Sequence, residues 1–157
     1  MNDIIFQASD LASPKRVDFI RAAQHGGARL RDKDGTSLLF LPESEVALLR
    51  GLAHWSRQYL NLNELIASGA ELSVGTLGDL AWLRYLDRED VCVFSIELHD
   101  ALVVSLADGQ LDLITECVRA WRITANEMAD PQRRAALTAG FSLTDYADAL
   151  EPLESAG

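Results

Sequence analysis

The side chains able to act as nucleophiles, bases or metal ligands are few and scattered. In 157 residues there are three histidines, His25, His54 and His99, and two cysteines, Cys92 and Cys117. Nucleophilic catalysis needs a thiol or hydroxyl within hydrogen-bonding reach of a base, and metal capture needs several ligands at close spacing. The two cysteines form no CxxC pair and have no histidine at ligand distance. They read as small, buried apolar groups in a reducing compartment. His25 ends one helical stretch, and His54 and His99 sit in two others, so each reads as a surface or interface residue. Carboxylates are so abundant that neighbours such as Glu89 and Asp90 occur by chance. Neither Gly26-Gly27 nor Gly75-Thr76-Leu77-Gly78 has the lysine and hydroxyl pair of a phosphate loop. The expectation is a chain with no catalytic residues, no metal, no cofactor and no small-molecule substrate.

Charge points instead to macromolecular partners. The net charge of −10 is unevenly distributed. Residues 1–60 carry eight Lys/Arg against seven Asp/Glu, whereas the rest carries six Arg against seventeen Asp/Glu. An acidic body on a neutral, locally basic head implies two kinds of partner, with a polyanion confined to the head. A hydrophobic content of 48% is enough for a real core. The longest apolar stretches, Ser37 to Leu41 and Ala101 to Ala107, fall far short of the ~18 residues that span a bilayer. With no charged-then-apolar leader, the chain is expected to be soluble and cytoplasmic, without membrane contact.

These residues need elements to hold them. The run from Asp3 to Phe6 reads as a strand, followed by a turn through Ala8, Ser9 and Asp10. Ser13 and Pro14 start a helix with Val17, Ile20 and Ala23 as its apolar stripe, ended by Gly26 and Gly27. Residues 28–41 read as a β-hairpin turning at Asp34-Gly35, with Ala28 and Leu30 on one face and Arg29 and Arg31 on the other. Pro42 opens a helix with Leu48, Leu49, Leu52, Trp55 and Tyr59 at helical spacing. Beyond residue 60 every clear element is helical. Thr76 with Asp79 resembles a cap for a short helix containing Leu80, Trp82, Leu83 and Leu86. Two longer helices present Val91, Phe94, Leu98 and Leu102, then Leu111, Ile114, Val118, Trp121, Ala125 and Met128, and pair across Asp108-Gly109. A last helix is expected from Asp130-Pro131 to Gly140, then a loose acidic tail. The fold class is α+β: a small head over residues 1–68, a helical partner-binding region over 69–140 and a tail over 141–157.

Three local sequences in the head resemble the prevent-host-death (Phd/YefM) antitoxin family. Phe6-Gln7-Ala8-Ser9-Asp10-Leu11 looks like that family's passage from first strand to first helix. Arg29 to Gly35 with Ser37 to Pro42 is similar to its hairpin, and Glu43 to Leu49 to the helix that follows. The likeness covers residues 4–60. It implies a homodimer that packs across a two-fold axis and turns paired basic patches toward operator DNA. Phosphate contacts would come from Lys15, Arg16, Arg29, Arg31 and Lys33. The sequence departs from the family where arginines are common, at Ala12 and Asp32.

The resemblance further implies that the helical remainder neutralises a cognate toxin by occlusion. Trp82, Tyr85 and Leu86 are the expected anchors, with Asp87, Glu89 and Asp90 as a charged rim. The alternative keeps the dimeric head but drops the DNA role, leaving an adaptor or structural subunit of a larger assembly.

Overall fold

The computed structural model describes residues 5–132. They form an α+β fold with a three-stranded sheet and five α-helices. The expected helix to Gly140 and the tail over 141–157 lie outside the described residues.

Strand β1 (Ile5–Gln7) leads into a 3-10 helix (Ala8–Ala12), then α1 (Arg16–Gln24), β2 (Ala28–Arg31) and β3 (Ser37–Phe40). The sheet order is β1-β2-β3, with β1 parallel to β2 and β3 antiparallel to it. The expected turn at Ala8 to Asp10 is that 3-10 helix, held where the Gln7 amide donates to Asp10 Oδ2 at 2.9 Å. The hairpin turns where expected: the Gly35 amide donates to the Asp32 carbonyl at 3.0 Å. Gly35 has φ +88, a value that favours glycine, and the Thr36 amide then reaches Asp34 Oδ1 at 2.8 Å.

Alternation along β2 sorts its side chains as the sequence suggests. Ala28 and Leu30 are buried, and Arg29 and Arg31 are exposed. A small core of Phe6, Phe19, Ala28 and Leu30 closes over one sheet face. Phe19 meets Phe6 and Phe40 edge-on at 5.4 and 5.0 Å. Here α1 departs from expectation. Of its expected stripe, Val17 and Ile20 face solvent, at 56% and 47% exposure, and only Ala23 packs with Phe19 and Ala22 over the sheet. Both sets obey helical spacing, so periodicity does not choose between them; the aromatic ring, with more area to bury, does. Pro14 also lies ahead of the helix, which starts at Arg16.

Helix α2 (Glu43–Ser68) is longer than its sequence stripe and ends at Gly69, whose φ of +67 places it in the left-handed region. The expected division after residue 68 coincides with this end, yet the helical core draws on α2 from Leu52 onward. Leu62 is buried in that core, and Leu52, Trp55, Tyr59, Leu65 and Ile66 pack against it. Arg88 Nη2 donates to the Ala70 carbonyl at 2.7 Å, and Nη1 to the Ile66 carbonyl at 3.4 Å. A cation thus satisfies orphan acceptors at the negative end of the helix. Gly51 lets the other end of α2 press against the Leu111 side chain, where a Cβ would collide.

The short helix α3 (Val74–Leu77) is capped by Ser73 rather than by Thr76. Thr76 is the reciprocal third residue: its amide donates to Ser73 Oγ at 3.3 Å and the Ser73 amide to Thr76 Oγ1 at 3.0 Å. A 3-10 segment follows (Gly78–Tyr85). Leu77, Leu80, Leu83 and Leu86, all buried, recur every third residue. The segment kinks at Leu80, where the backbone leaves helical values, and all four leucines join the helical core.

Helices α4 (Arg88–Asp108) and α5 (Asp112–Ala129) form the expected antiparallel pair, joined at Gly109 with φ +68. Val91, Phe94, Leu98 and Leu102 of α4 are buried, as are Ile114, Val118 and Ala125 of α5, with Leu111, Trp121 and Met128 packed at the margin. Phe94 sits between Trp82 at 5.2 Å and Trp121 at 5.9 Å. Ser95 Oγ donates across to Asn63 Oδ1 of α2 at 2.9 Å. Among the described residues no helix is long and apolar enough to cross a membrane.

Candidate partner-binding surfaces

The open face of the sheet is set by strand register. Ile5, Arg29 and Leu39 stand in one row, and Gln7, Arg31 and Ser37 in the next. The side chains of Arg29, Arg31, Ser37 and Leu39 project away from α1, because the opposite face carries Phe6 and Leu30 into the small core. Arg29 and Arg31 therefore lie together, with Lys33 beyond them in the hairpin turn. Lys15 and Arg16 are elsewhere, at the start of α1. Lys15 Nζ pairs with Asp10 Oδ1 at 3.2 Å. The Asp10 carboxyl is held below its ordinary range, first by the Gln7 amide and then by Lys15. The backbone amide of Lys33 donates to Asp32 Oδ1 at 2.7 Å, so that carboxylate braces the turn.

Both outer strands, β1 and β3, are edges of the sheet, and β3 is the more exposed of the two. All four of its residues are exposed, including Leu38, Leu39 and Phe40, with Leu39 at 59%. An edge strand offers unpaired amides and carbonyls, and this one adds large apolar side chains.

The expected partner-contact segment divides by burial. Leu86 is 7% exposed and belongs to the helical core, so it is no anchor for another chain. Trp82 packs edge-on against Phe94 and is only half-exposed, with the Arg122 guanidinium 5.9 Å from its ring. Tyr85 is covered by Arg84, whose guanidinium lies 4.2 Å above the ring and donates to the phenolic oxygen at 2.6 Å. Asp87 caps α4 by accepting from the Asp90 amide at 2.9 Å. Glu89 lies exposed in the first helical turn, and burial followed by the neighbouring Asp87 and Glu89 pushes the Asp90 carboxyl up. Fold-building duties thus account for Leu86 and Asp87, and intramolecular contacts for Trp82 and Tyr85.

The reactive side chains remain dispersed. His25 Nδ1 lies 2.8 Å from the Arg21 carbonyl, and His54 stacks edge-on against Trp55 at 4.9 Å. His99 leans on Tyr59 at 5.3 Å, with Nδ1 3.2 Å from the exposed Asp100 carboxylate. Both cysteines are free thiols and half-buried. Burial, reinforced by Glu97, pushes the Cys117 thiol up to about 11, which keeps it protonated and unreactive near neutrality. Among the described residues no group of three or more His, Cys, Asp or Glu could hold a metal ion. A cleft of about 600 Å³ between β1 and α1 is lined by Ile5, Phe6 and Ala22, and its Asp10–Lys15 and Asp18–Arg21 pairs satisfy one another.

One surface was missed by reading a single face of each helix. Val93, Ile96, Val103, Val104 and Leu106 project from α4 away from the core, with Ile96 at 62% and Leu106 at 71% exposure. Leu113 of α5 continues this surface. The clue lay in the adjacent apolar pairs of α4, since a helix apolar on every side needs cover on every side.

Comparison with known proteins yields no matching family model, no similar curated protein and no similar solved structure.

Proposed function

We propose that this chain is a dimeric, cytoplasmic antitoxin-type protein whose head joins two copies and whose helical body occludes a cognate toxin. The observation that carries the reading is the β3 edge, exposed along its length and bearing Leu38, Leu39 and Phe40. A second copy offers an identical edge. Antiparallel pairing about a two-fold axis joins both edges at once and covers those side chains, so one self-complementary contact serves both chains. The order strand, helix, hairpin, helix supports the likeness to prevent-host-death antitoxins. No catalytic step is assigned to the chain.

In such a dimer Arg29, Arg31 and Lys33 occur twice, which matches a palindromic operator by symmetry. If those cations neutralise about six phosphates, the logarithm of affinity should fall with that of salt at a slope of about −5. A second reading, a dimeric adaptor that ignores DNA, is favoured by one observation: Lys15 is already engaged by Asp10.

The test combines protection of DNA upstream of the chain's own gene, at several salt concentrations, with co-expression beside the neighbouring gene product. Salt-dependent protection of a palindrome together with relief of toxicity is the expected result. A monomer indifferent to both DNA and the neighbour's product sinks the reading, and a dimer that holds the product yet ignores DNA even at low salt selects the adaptor.

A further inference from the structure

We infer that the outward face of α4 and its groove against α5 form the docking site for a cationic amphipathic helix of a partner protein, an inference that rests on reading the helical body as the partner-binding part. The groove encloses about 390 Å³. Its floor is apolar, made by Ala101, Val104, Leu113 and Cys117, and its rim is acidic, made by Glu97, Asp100 and Glu116, the last already paired with Arg119 at 2.6 Å. Trp121 Nε1 donates to Glu97 Oε2 at 2.6 Å, which fixes that carboxylate at the lip. The exposed Val93 and Ile96 extend the apolar surface along α4.

Charge decides what covers it. Residues 97–122 carry five Asp/Glu against two Arg, and Arg119 pairs with Glu116 at 2.6 Å, so the charge left on the rim is that of Glu97 and Asp100. A second copy would bring the same acidic face, and residues 133–157 carry four carboxylates against two arginines, a net negative charge. Like charges facing each other across an apolar seam are unfavourable, whereas lysines or arginines flanking an aliphatic stripe would meet both the rim and the floor. The occupant is therefore a helix with aliphatic anchors at i, i+3, i+4 and i+7 and cations beside them. Trp82, Tyr85 and the acidic residues after them are not part of this surface, so the two places can be separated by substitution.

The probe is a synthetic helix of about 18 residues, roughly 27 Å long, made of leucine at those spacings and lysine elsewhere. Binding of this labelled peptide to the full chain is followed by fluorescence anisotropy. The wild-type chain should bind it, more weakly as salt rises, and should ignore both the same peptide with glutamate for lysine and a scrambled one. Val104→Glu and Leu113→Glu should each weaken binding at least ten-fold, while Glu71→Gln, away from the groove, should leave it unchanged. Val104 and Leu113 are 40% and 50% exposed, so circular dichroism and melting should stay near wild type. Should either glutamate unfold the body, Asp100→Lys, at an exposed rim position, carries the same test. Equal binding by the groove variants, equal binding of the scrambled peptide, or self-association abolished by Val104→Glu would each overturn the inference. The sheet edge and its cations are untouched by these substitutions. Loss of the groove result with dimerisation and DNA protection intact therefore refutes this inference alone.

Discussion

In the sheet head four apolar side chains are buried, Phe6, Phe19, Ala28 and Leu30, and three large ones on β3 face solvent; in the helical body thirteen are buried. The difference is one of size before it is one of sequence. A unit of about 40 residues buries too little surface to stand alone and usually needs a staple or a second chain. The body has enough depth to enclose Phe94 and Leu83 completely. A self-sufficient body and an unfinished head imply that stability resides in one and assembly in the other.

The comparison can be broken most sharply at its centre. Phe94→Ala empties the fully buried site between Trp82 and Trp121 and should destabilise the body by about 3–5 kcal/mol, read by urea unfolding. A cost below about 1 kcal/mol would mean the body is not the rigid part. At the head, Leu39→Lys places a charge on the open edge without touching the small core. It should weaken self-association at least ten-fold in sedimentation, with unfolding of the isolated chain changed by less than about 0.5 kcal/mol. An unchanged dimer would move the two-fold contact away from β3.

Smaller effects sharpen the picture within the body. Ser73→Ala removes one half of the reciprocal cap on α3 and should cost about 1 kcal/mol of stability, whereas Asp79→Ala should cost less, because Asp79 caps nothing. For Cys117 the sign is fixed by its raised titration, from 9.0 to about 11. The folded chain favours the neutral thiol, so its contribution is fully present below about pH 9 and is lost as pH rises toward 11. The half-buried site limits the loss to the order of 1 kcal/mol or less, and Cys117→Ser should abolish that part of the alkaline slope.

Much of this architecture is legible in the residues where one periodicity has no rival. Alternation in Ala28-Arg29-Leu30-Arg31 admits one sorting of faces, and the α4 stripe names buried residues, whereas in the α5 stripe Ile114, Val118 and Ala125 are buried and Leu111, Trp121 and Met128 only partly so. Legibility fails where two patterns coexist. In α1 the stripe of Val17 and Ile20 competes with Phe19, Ala22 and Ala23, and only the presence of a sheet to cover decides. In the segment from Leu77 to Leu86 short 3-10 turns broken at Leu80 replace the expected helix, so an α-helical reading obscures Leu86 as core. For the surfaces the limit is different. Trp82 and Tyr85 have the chemistry of contact anchors, but side-chain type does not reveal that Phe94 and Arg84 already occupy them. The cations Arg29 and Arg31 are correctly turned outward, yet which partner they meet depends on a second chain.

The continuity of α2 has a consequence for any assembly built on these sheets. Twenty-six residues of uninterrupted helix measure about 39 Å. One end starts at the hairpin and the other is built into the helical core, so the connection behaves as a spar rather than a tether. In the proposed dimer, two copies joined edge to edge would hold whatever each body binds at a separation written into a count of helical turns. Inserting or removing a few residues there would change both that distance and the direction in which each cargo faces.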